Sequence, residues 1–285
     1  MTSQDVNSKI ITSLWYLQRL PIYTTQKPYY VNFPVPQNDA APAQHNILHE
    51  RYDGIDIHDI RGNEDAFKID THGFQLVRDS TSMSNDDFEQ DSIIRQRYYP
   101  EIISLVTKTL GATRVVPFEH THRLSRPNLS GCGCDRKRKP LVAAHIDQTP
   151  ASSRKRLAHH LGDDVAVHEH QRFQIINVWR PLFGPLEDYP LALGDCRTFD
   201  FDRDGEPTDL VFPHYIGESM NLYHNAAHQW YYVSKQMRDE VWMFKCFDSM
   251  EGVAMAAPHC SFDLQGGNYV KRPRESIEIR LIVLY

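Results

Sequence analysis

The stretch Pro140-Leu-Val-Ala-Ala-His-Ile-Asp-Gln-Thr-Pro150 decides how this chain reads. It is a short apolar run that ends in His145, Ile146 and Asp147. Side chains of a strand alternate between its two faces, so His145 and Asp147, two positions apart, point the same way. A neutral imidazole and a carboxylate on one face are two of the three ligands of a two-histidine, one-carboxylate facial triad. That triad holds non-haem Fe(II) and leaves coordination positions open. In a chain with 15 histidines an isolated H-x-D is a weak signal. The third ligand has to come from a distant part of the sequence.

His259, in Ala256-Ala-Pro-His-Cys-Ser-Phe262, is the best third ligand. Arg274 follows it by 15 positions (274 − 259) and opens the last strand, Arg274 to Tyr285. Alternation puts Arg274, Ser276, Glu278 and Arg280 on one face and Ile277, Ile279, Leu281 and Val283 on the other. A face with two arginines opposite an all-apolar face reads as a strand that lines a pocket. A guanidinium grips a carboxylate through two parallel hydrogen bonds, and a hydroxyl two positions along can add a third. Arg274 with Ser276 therefore suits the distal carboxylate of 2-oxoglutarate, with Arg280 as the alternative anchor. Pairing of Arg280 with Glu278 would make it structural instead. His228 is the rival third ligand, but it lies 46 positions before Arg274 (274 − 228) and beside Trp230 and Tyr231, which favours a structural or pocket role.

The order H-x-D, distant His, then R-x-S resembles the Fe(II)/2-oxoglutarate-dependent oxygenases. Further blocks sharpen the likeness: Arg172-Phe-Gln-Ile-Ile-Asn-Val-Trp-Arg-Pro-Leu182, Pro190-Leu-Ala-Leu193, His228-Gln-Trp-Tyr-Tyr232, Phe244-Lys-Cys-Phe-Asp-Ser249 and Arg274-Glu-Ser-Ile-Glu-Ile-Arg280. Together they resemble the mainly fungal hydroxylase/desaturase family, which includes gibberellin-desaturase-like proteins and a cephalosporin methoxylation component. The resemblance runs from about Tyr29 to the C-terminus. It implies a mainly β fold with flanking helices, a double-stranded β-helix (jelly roll, cupin-like). It also implies Fe(II), 2-oxoglutarate and O2, and hydrogen abstraction from an unactivated C–H bond of a small secondary metabolite or amino-acid derivative. Hydroxylation, desaturation or ring closure would follow. It does not select the substrate, because one fold hosts many reactions. Three other classes stay open: a cupin-type metal enzyme that does not use 2-oxoglutarate, a non-catalytic partner subunit of a biosynthetic enzyme, and a plain ligand-binding jelly roll, which explains neither His145 and Asp147 nor Arg274.

Length and composition agree with one domain over 1–285: an N-terminal arm to residue 28, strands and buttressing helices over 29–123, and a jelly-roll core over 140–285. Hydrophobic residues make up 41% of the chain, enough for a full core. A mean hydropathy of −0.52 and the absence of any run near the roughly 18–20 apolar residues of a span argue against a membrane protein. A net charge of −6 with mixed signs gives no basic footprint for nucleic acid. The start, Met1-Thr-Ser-Gln-Asp-Val, lacks the basic and apolar regions of a secretory signal. The five scattered cysteines form no paired C-x-x-C set, which fits the reducing cytoplasm. Cys132-Gly-Cys134 offers two thiols, too few for a zinc site.

The arm carries an apolar patch, Ile10 to Trp15, that reads equally as a strand covering a sheet edge or as a contact with a second subunit in a homodimer. Apolar periodicity predicts one or two helices over 86–110, with Pro100 as a break or fresh start and Gly111 as the stop. Arg114 to Arg123 reads as a strand, and its His120 and His122 read as substrate or outer contacts of the site. Residues 124–139 form a loop whose run Arg136-Lys-Arg-Lys139 is a solvated face or a guide for an anionic substrate. His168 and His170 read as surface residues. Ser152 to Leu161 is predicted to be a short helix. Phe173 to Trp179 is a core strand that places Asn177 and Trp179 on one face. Asn177 is a candidate for a co-substrate oxygen, since a buried amide needs partners. Trp179, Arg180 and His228 complete the substrate-pocket candidates.

Overall fold

The computed structural model describes residues 8–36, 43–125, 138–165, 171–264 and 272–285. Fourteen strands are present among them: β1 (Lys9–Leu17), β2 (Tyr29–Val31), β3 (His49–Asp59), β4 (Phe74–Arg78), β5 (Arg114–Leu124), β6 (His145–Ile146), β7 (Phe173–Pro181), β8 (Leu191–Gly194), β9 (Gly205–Val211), β10 (Ile216–Leu222), β11 (Trp230–Tyr232), β12 (Glu240–Asp248), β13 (His259–Ser261) and β14 (Glu275–Leu284). They form a nine-stranded sheet in the order β1-β3-β11-β8-β13-β6-β10-β9-β2 and a five-stranded sheet in the order β4-β12-β7-β14-β5. Pairing is antiparallel except for β11 with β3 and β2 with β9. The two curled sheets form the jelly roll expected from the sequence.

Alternation along β14 explains how the sheets are layered. Ile277, Ile279, Leu281 and Val283 join Ile176 and Val178 of β7 on the outer face of the smaller sheet. There they pack against Ile102 and Val106 of the helix Tyr99–Leu110. The preceding turn, Ile94–Tyr98, is π-helical, and Pro100 sits in the first turn of the helix, where its missing N–H leaves no bond unmade. Gly111 ends the helix at φ 68°, a left-handed backbone that glycine adopts without a Cβ clash. Ile102 is fully buried. Ile102→Ala is expected to lower unfolding free energy by about 2–5 kcal/mol. A urea midpoint equal to that of the unsubstituted chain would show that the helix is not coupled to the sheet.

The other face of each sheet turns inward. Trp179, Phe244, Leu193, Trp242 and Phe74 form an apolar cluster at one end of the interior. The helix Pro150–Leu161 closes the other end, with Leu157 and Leu161 against Phe173, Ile175, Cys246, Ile282 and Leu284. Thr149 caps that helix by accepting from the Ser152 N–H, at 3.1 Å. The polar site lies between the two clusters.

The N-terminal arm contains strand β1, paired along its whole length with β3. Strand β9 carries no apolar run. Its Gly-Glu-Pro-Thr-Asp-Leu-Val sequence is held by cross-strand bonds to β10 and β2. The Cys132-Gly-Cys134 pair, most of the 124–139 loop, His168 and His170 lie outside the described residues.

Candidate metal centre

His145 and His259 are direct cross-strand partners in β6 and β13, so both rings leave the sheet on its inner face, with centroids 4.3 Å apart. Asp147 follows where β6 ends. One ligand atom from each of the three lies within 4.8 Å of the others. His145 Nε2 is 3.5 Å from Asp147 Oδ1, and His259 Nε2 is 3.9 Å from Asp147 Oδ2. Each ring directs Nδ1 at the carbonyl two positions earlier: His145 at Ala143 (2.8 Å) and His259 at Ala257 (3.1 Å). A carbonyl only accepts, so in the neutral ring the proton sits on Nδ1 and the Nε2 lone pair is free to bind a cation. Buried His145 Nε2 has no hydrogen-bond partner among the described residues, which is costly unless something else satisfies it. Two such nitrogens and a carboxylate fit Fe(II).

The smaller sheet holds the carboxylate. Asn177 Nδ2 donates to Asp147 Oδ2 at 2.7 Å and Arg280 Nε donates to the same oxygen at 3.0 Å. The Cys246 thiol adds a contact at 3.9 Å. Burial pushes the Asp147 carboxyl up, but Arg280 and the two imidazoles prevail and hold it well below the usual range. Burial, together with the neighbouring His145, pulls His259 down to about 3, so its ring is neutral at physiological pH. Arg280 is also paired with Glu278 at 2.8 Å and Glu119 at 3.1 Å. Its charge is thus balanced by three carboxylates, and its Nε holds the Asp147 carboxylate in place. Arg280→Met is expected to weaken Fe(II) binding by about 10–100-fold, the usual effect of losing an outer-shell partner. Unchanged affinity in a metal titration would remove Arg280 from that role.

Arg274 is in the opposite state. Its guanidinium is buried, with Nε donating to Ser276 Oγ (3.1 Å) and Nη1 to Ser261 Oγ (2.5 Å) and the Tyr189 carbonyl (2.6 Å). It lies over the Trp179 ring, 5.0 Å from the centroid. No carboxylate among the described residues comes within 4.0 Å of it. Burial and the like charge of Arg123 pull it down to about 9. A buried guanidinium braced by two serines, with no carboxylate beside it, has the donor geometry that suits one.

A cavity of about 440 Å³ opens beside His145 and Asp147. Tyr30, Ile47, Leu141, Leu210, Phe212 and Tyr215 give it apolar walls, and His49, Gln148 and Asn221 give it polar ones. Four pocket candidates from the sequence are directed elsewhere. His120 meets Tyr99 Oη (2.9 Å) and Asp91 (3.2 Å), and His122 meets Glu275 (3.0 Å), on the helix side of β5. Arg180 pins β7 to Tyr98 Oη (2.9 Å), the Asp79 carboxylate and two carbonyls. His228 stacks on Phe199 and bonds Asp204 at 3.1 Å, on the outer side of the larger sheet. Trp179 does face inward, under Arg274 and away from the large cavity. Alternation in β5 accounts for the histidines: turning His120 and His122 outward brings Glu119 and Arg123 to the cavity. Those two were missed, and pairing β5 with β14 by charge (Glu119 opposite Arg280) was the signal available for them.

With this geometry in place, relatives give the class. Residues 14–284 match the family model described as oxidoreductase/YMDC permease-like domain. The chain is 32% identical over 251 residues to hydroxylase/desaturase efuI of Hormonema carpetanum, covering 80% of this chain and 82% of that protein. It is 31% identical over 240 residues to Fe(II)/2-oxoglutarate-dependent dioxygenase nvfI of Aspergillus novofumigatus, with the same two shares. The solved structure of the iron and alpha-ketoglutarate-dependent endoperoxidase NvfI matches with a TM-score of 0.83 at 28% identity, over 97% of this chain and 98% of that one. The chain belongs to the fungal hydroxylase/desaturase family of Fe(II)/2-oxoglutarate-dependent oxygenases. No helix among the described residues is long and apolar enough to cross a membrane.

Proposed function

We propose that this oxygenase binds Fe(II) through His145, Asp147 and His259 and anchors the distal carboxylate of 2-oxoglutarate on Arg274, with Ser276 in support. Its substrate is a small secondary metabolite or amino-acid derivative, oxidised by hydroxylation, desaturation or ring closure. The observation that carries this reading is the convergence of three ligand atoms within 4.8 Å, with both histidine Nδ1 atoms already committed to carbonyls. Iron, 2-oxoglutarate and dioxygen bound together supply the oxidant that removes hydrogen from an unactivated C–H bond. The chain's own part is orientation and exclusion of water. Asn177 and Arg280 hold the Asp147 carboxylate in place, while Phe244 packs on the His259 ring at 4.7 Å. Arg274, braced by Ser261 and Ser276, receives one carboxylate in a water-poor end of the interior. A cupin-type enzyme without 2-oxoglutarate, or a non-catalytic partner subunit, leaves the poorly compensated Arg274 unexplained.

The whole 285-residue chain is proposed as one domain acting in the cytoplasm, where Cys196, Cys246 and Cys260 remain free thiols. A homodimer would use the exposed Ile11 and Trp15 of edge strand β1, which sedimentation velocity reads directly. The central test is anaerobic titration of Fe(II) and 2-oxoglutarate into the apoprotein, followed by the weak visible charge-transfer band of the chelate. Appearance of the band, with succinate released on exposure to oxygen, is the expected result. Absence of the band from folded protein would sink the assignment.

A further inference from the structure

The cationic side chains around the large cavity divide into two groups. Arg280 is neutralised by Asp147, Glu119 and Glu278, and the third acidic lining residue, Glu218, is paired with Lys27. Arg123, Arg138, Lys139 and Arg156 also line the cavity, and none has a carboxylate within 4.0 Å among the described residues. The chain as a whole carries −6, so this concentration of free cations is local.

Arg123 is the one that matters most. It is 6% exposed, and among the described residues its guanidinium donates to one acceptor, the Lys139 carbonyl at 3.0 Å. Burial draws it down from its ordinary value, and the charges of Glu278 and Asp147 oppose that shift from beyond contact. A buried guanidinium with so little compensation is destabilising unless an anion arrives. Its position separates it from Arg274. Arg123 lies opposite Ser276 across the β5–β14 pair and opens on the cavity that also exposes His145 and Asp147, whereas Arg274 is not on that cavity. A backbone β-bridge between Arg123 and Arg138 sets the strand that carries the deep cation beside the exposed pair Arg138 and Lys139.

We infer that the substrate is a largely apolar compound bearing a carboxylate, and that Arg123 receives this carboxylate while the apolar body lies along Leu210, Phe212 and Tyr215. Arg138 and Lys139 draw the anion in from solvent. This deepens the oxygenase reading and rests on it for the statement that the occupant is the substrate.

The test uses the full chain and two fluorescent probes: anilinonaphthalene sulfonate, and neutral phenylnaphthylamine, which has the same apolar body without the anion. The sulfonate probe is expected to bind roughly tenfold or more tighter than the neutral one, the worth of a charged hydrogen bond in a buried site. Leu210→Trp should weaken both probes, which places them in this cavity. Arg123→Gln should abolish the preference and change the 2-oxoglutarate affinity, read from the chelate band, far less than Arg274→Ala does. Equal binding of the two probes by the unsubstituted chain would overturn the inference. So would a weakened chelate with the preference intact, which would hand Arg123 to the co-substrate. If Arg123→Gln does not fold, Arg123→Lys and the unsubstituted chain decide: the preference must survive in both. A missing chelate band in the unsubstituted chain would sink the oxygenase reading, and the probe comparison would still report on the anion site.

Discussion

His145→Ala and His259→Ala are each expected to abolish the Fe(II)–2-oxoglutarate chelate band, while His228→Ala leaves it at full intensity. Loss of either inner ligand leaves one imidazole and Asp147. Iron affinity should then fall by more than the about 10–100-fold that outer-shell changes produce, and succinate formation should stop with it. His228 is the informative control, because from the sequence it is a plausible third ligand. Its ring lies 3.8 Å from that of Phe199, and its Nε2 bonds Asp204, on the far side of the larger sheet from the triad. Removing it empties the stack on Phe199 and takes one partner from the buried Asp204 carboxylate, which keeps Arg203 and Asn225, so the expected readout is a lower melting temperature with the band retained. A band that survives His259→Ala and disappears in His228→Ala would reverse the assignment.

Arg274→Ala should raise the 2-oxoglutarate dissociation constant steeply and leave Fe(II) binding nearly unaltered. Truncating one partner of a buried charge pair costs about 2–5 kcal/mol, which is roughly thirtyfold to several-thousandfold in affinity. Arg274→Lys should recover only part of this, since an ammonium cannot make the two parallel bonds of a guanidinium. Ser276→Ala, which removes one brace from Nε, should fall well short of Arg274→Ala. The two titrations, metal first and co-substrate second, separate a clamp from a general structural role. If Arg274→Ala lost metal and co-substrate together, a collapsed interior would explain the result better than a missing anchor. Arg280→Met gives the mirror image, with metal binding weakened before the co-substrate is added.

The facial pair His145/Asp147 was legible in the sequence because strand periodicity alone places residues two apart on one face. The same periodicity set Ile277, Ile279, Leu281 and Val283 against the polar face of β14, and helical periodicity with Gly111 marked the helix over the smaller sheet. Similar blocks in one order pointed to the jelly roll. Periodicity assigns side chains to two faces without saying which face is inside. That is why His120 and His122, which turn out toward the helices, read as well as Glu119 and Arg123, which turn in. Whether His259 or His228 stands beside His145 depended on β13 pairing with β6, a long-range register that no local pattern encodes. The surroundings of Arg274 and Arg280 likewise come largely from other elements: Arg280 meets Asp147 and Glu119 besides its strand neighbour Glu278, and the Arg274 guanidinium meets Ser261 and the Tyr189 carbonyl besides Ser276. The sequence by itself determined which residues can carry the chemistry and the fold that gathers them. Only the tertiary structure decided which charges are already compensated and which await a ligand, because compensation depends on contacts between strands far apart in the chain.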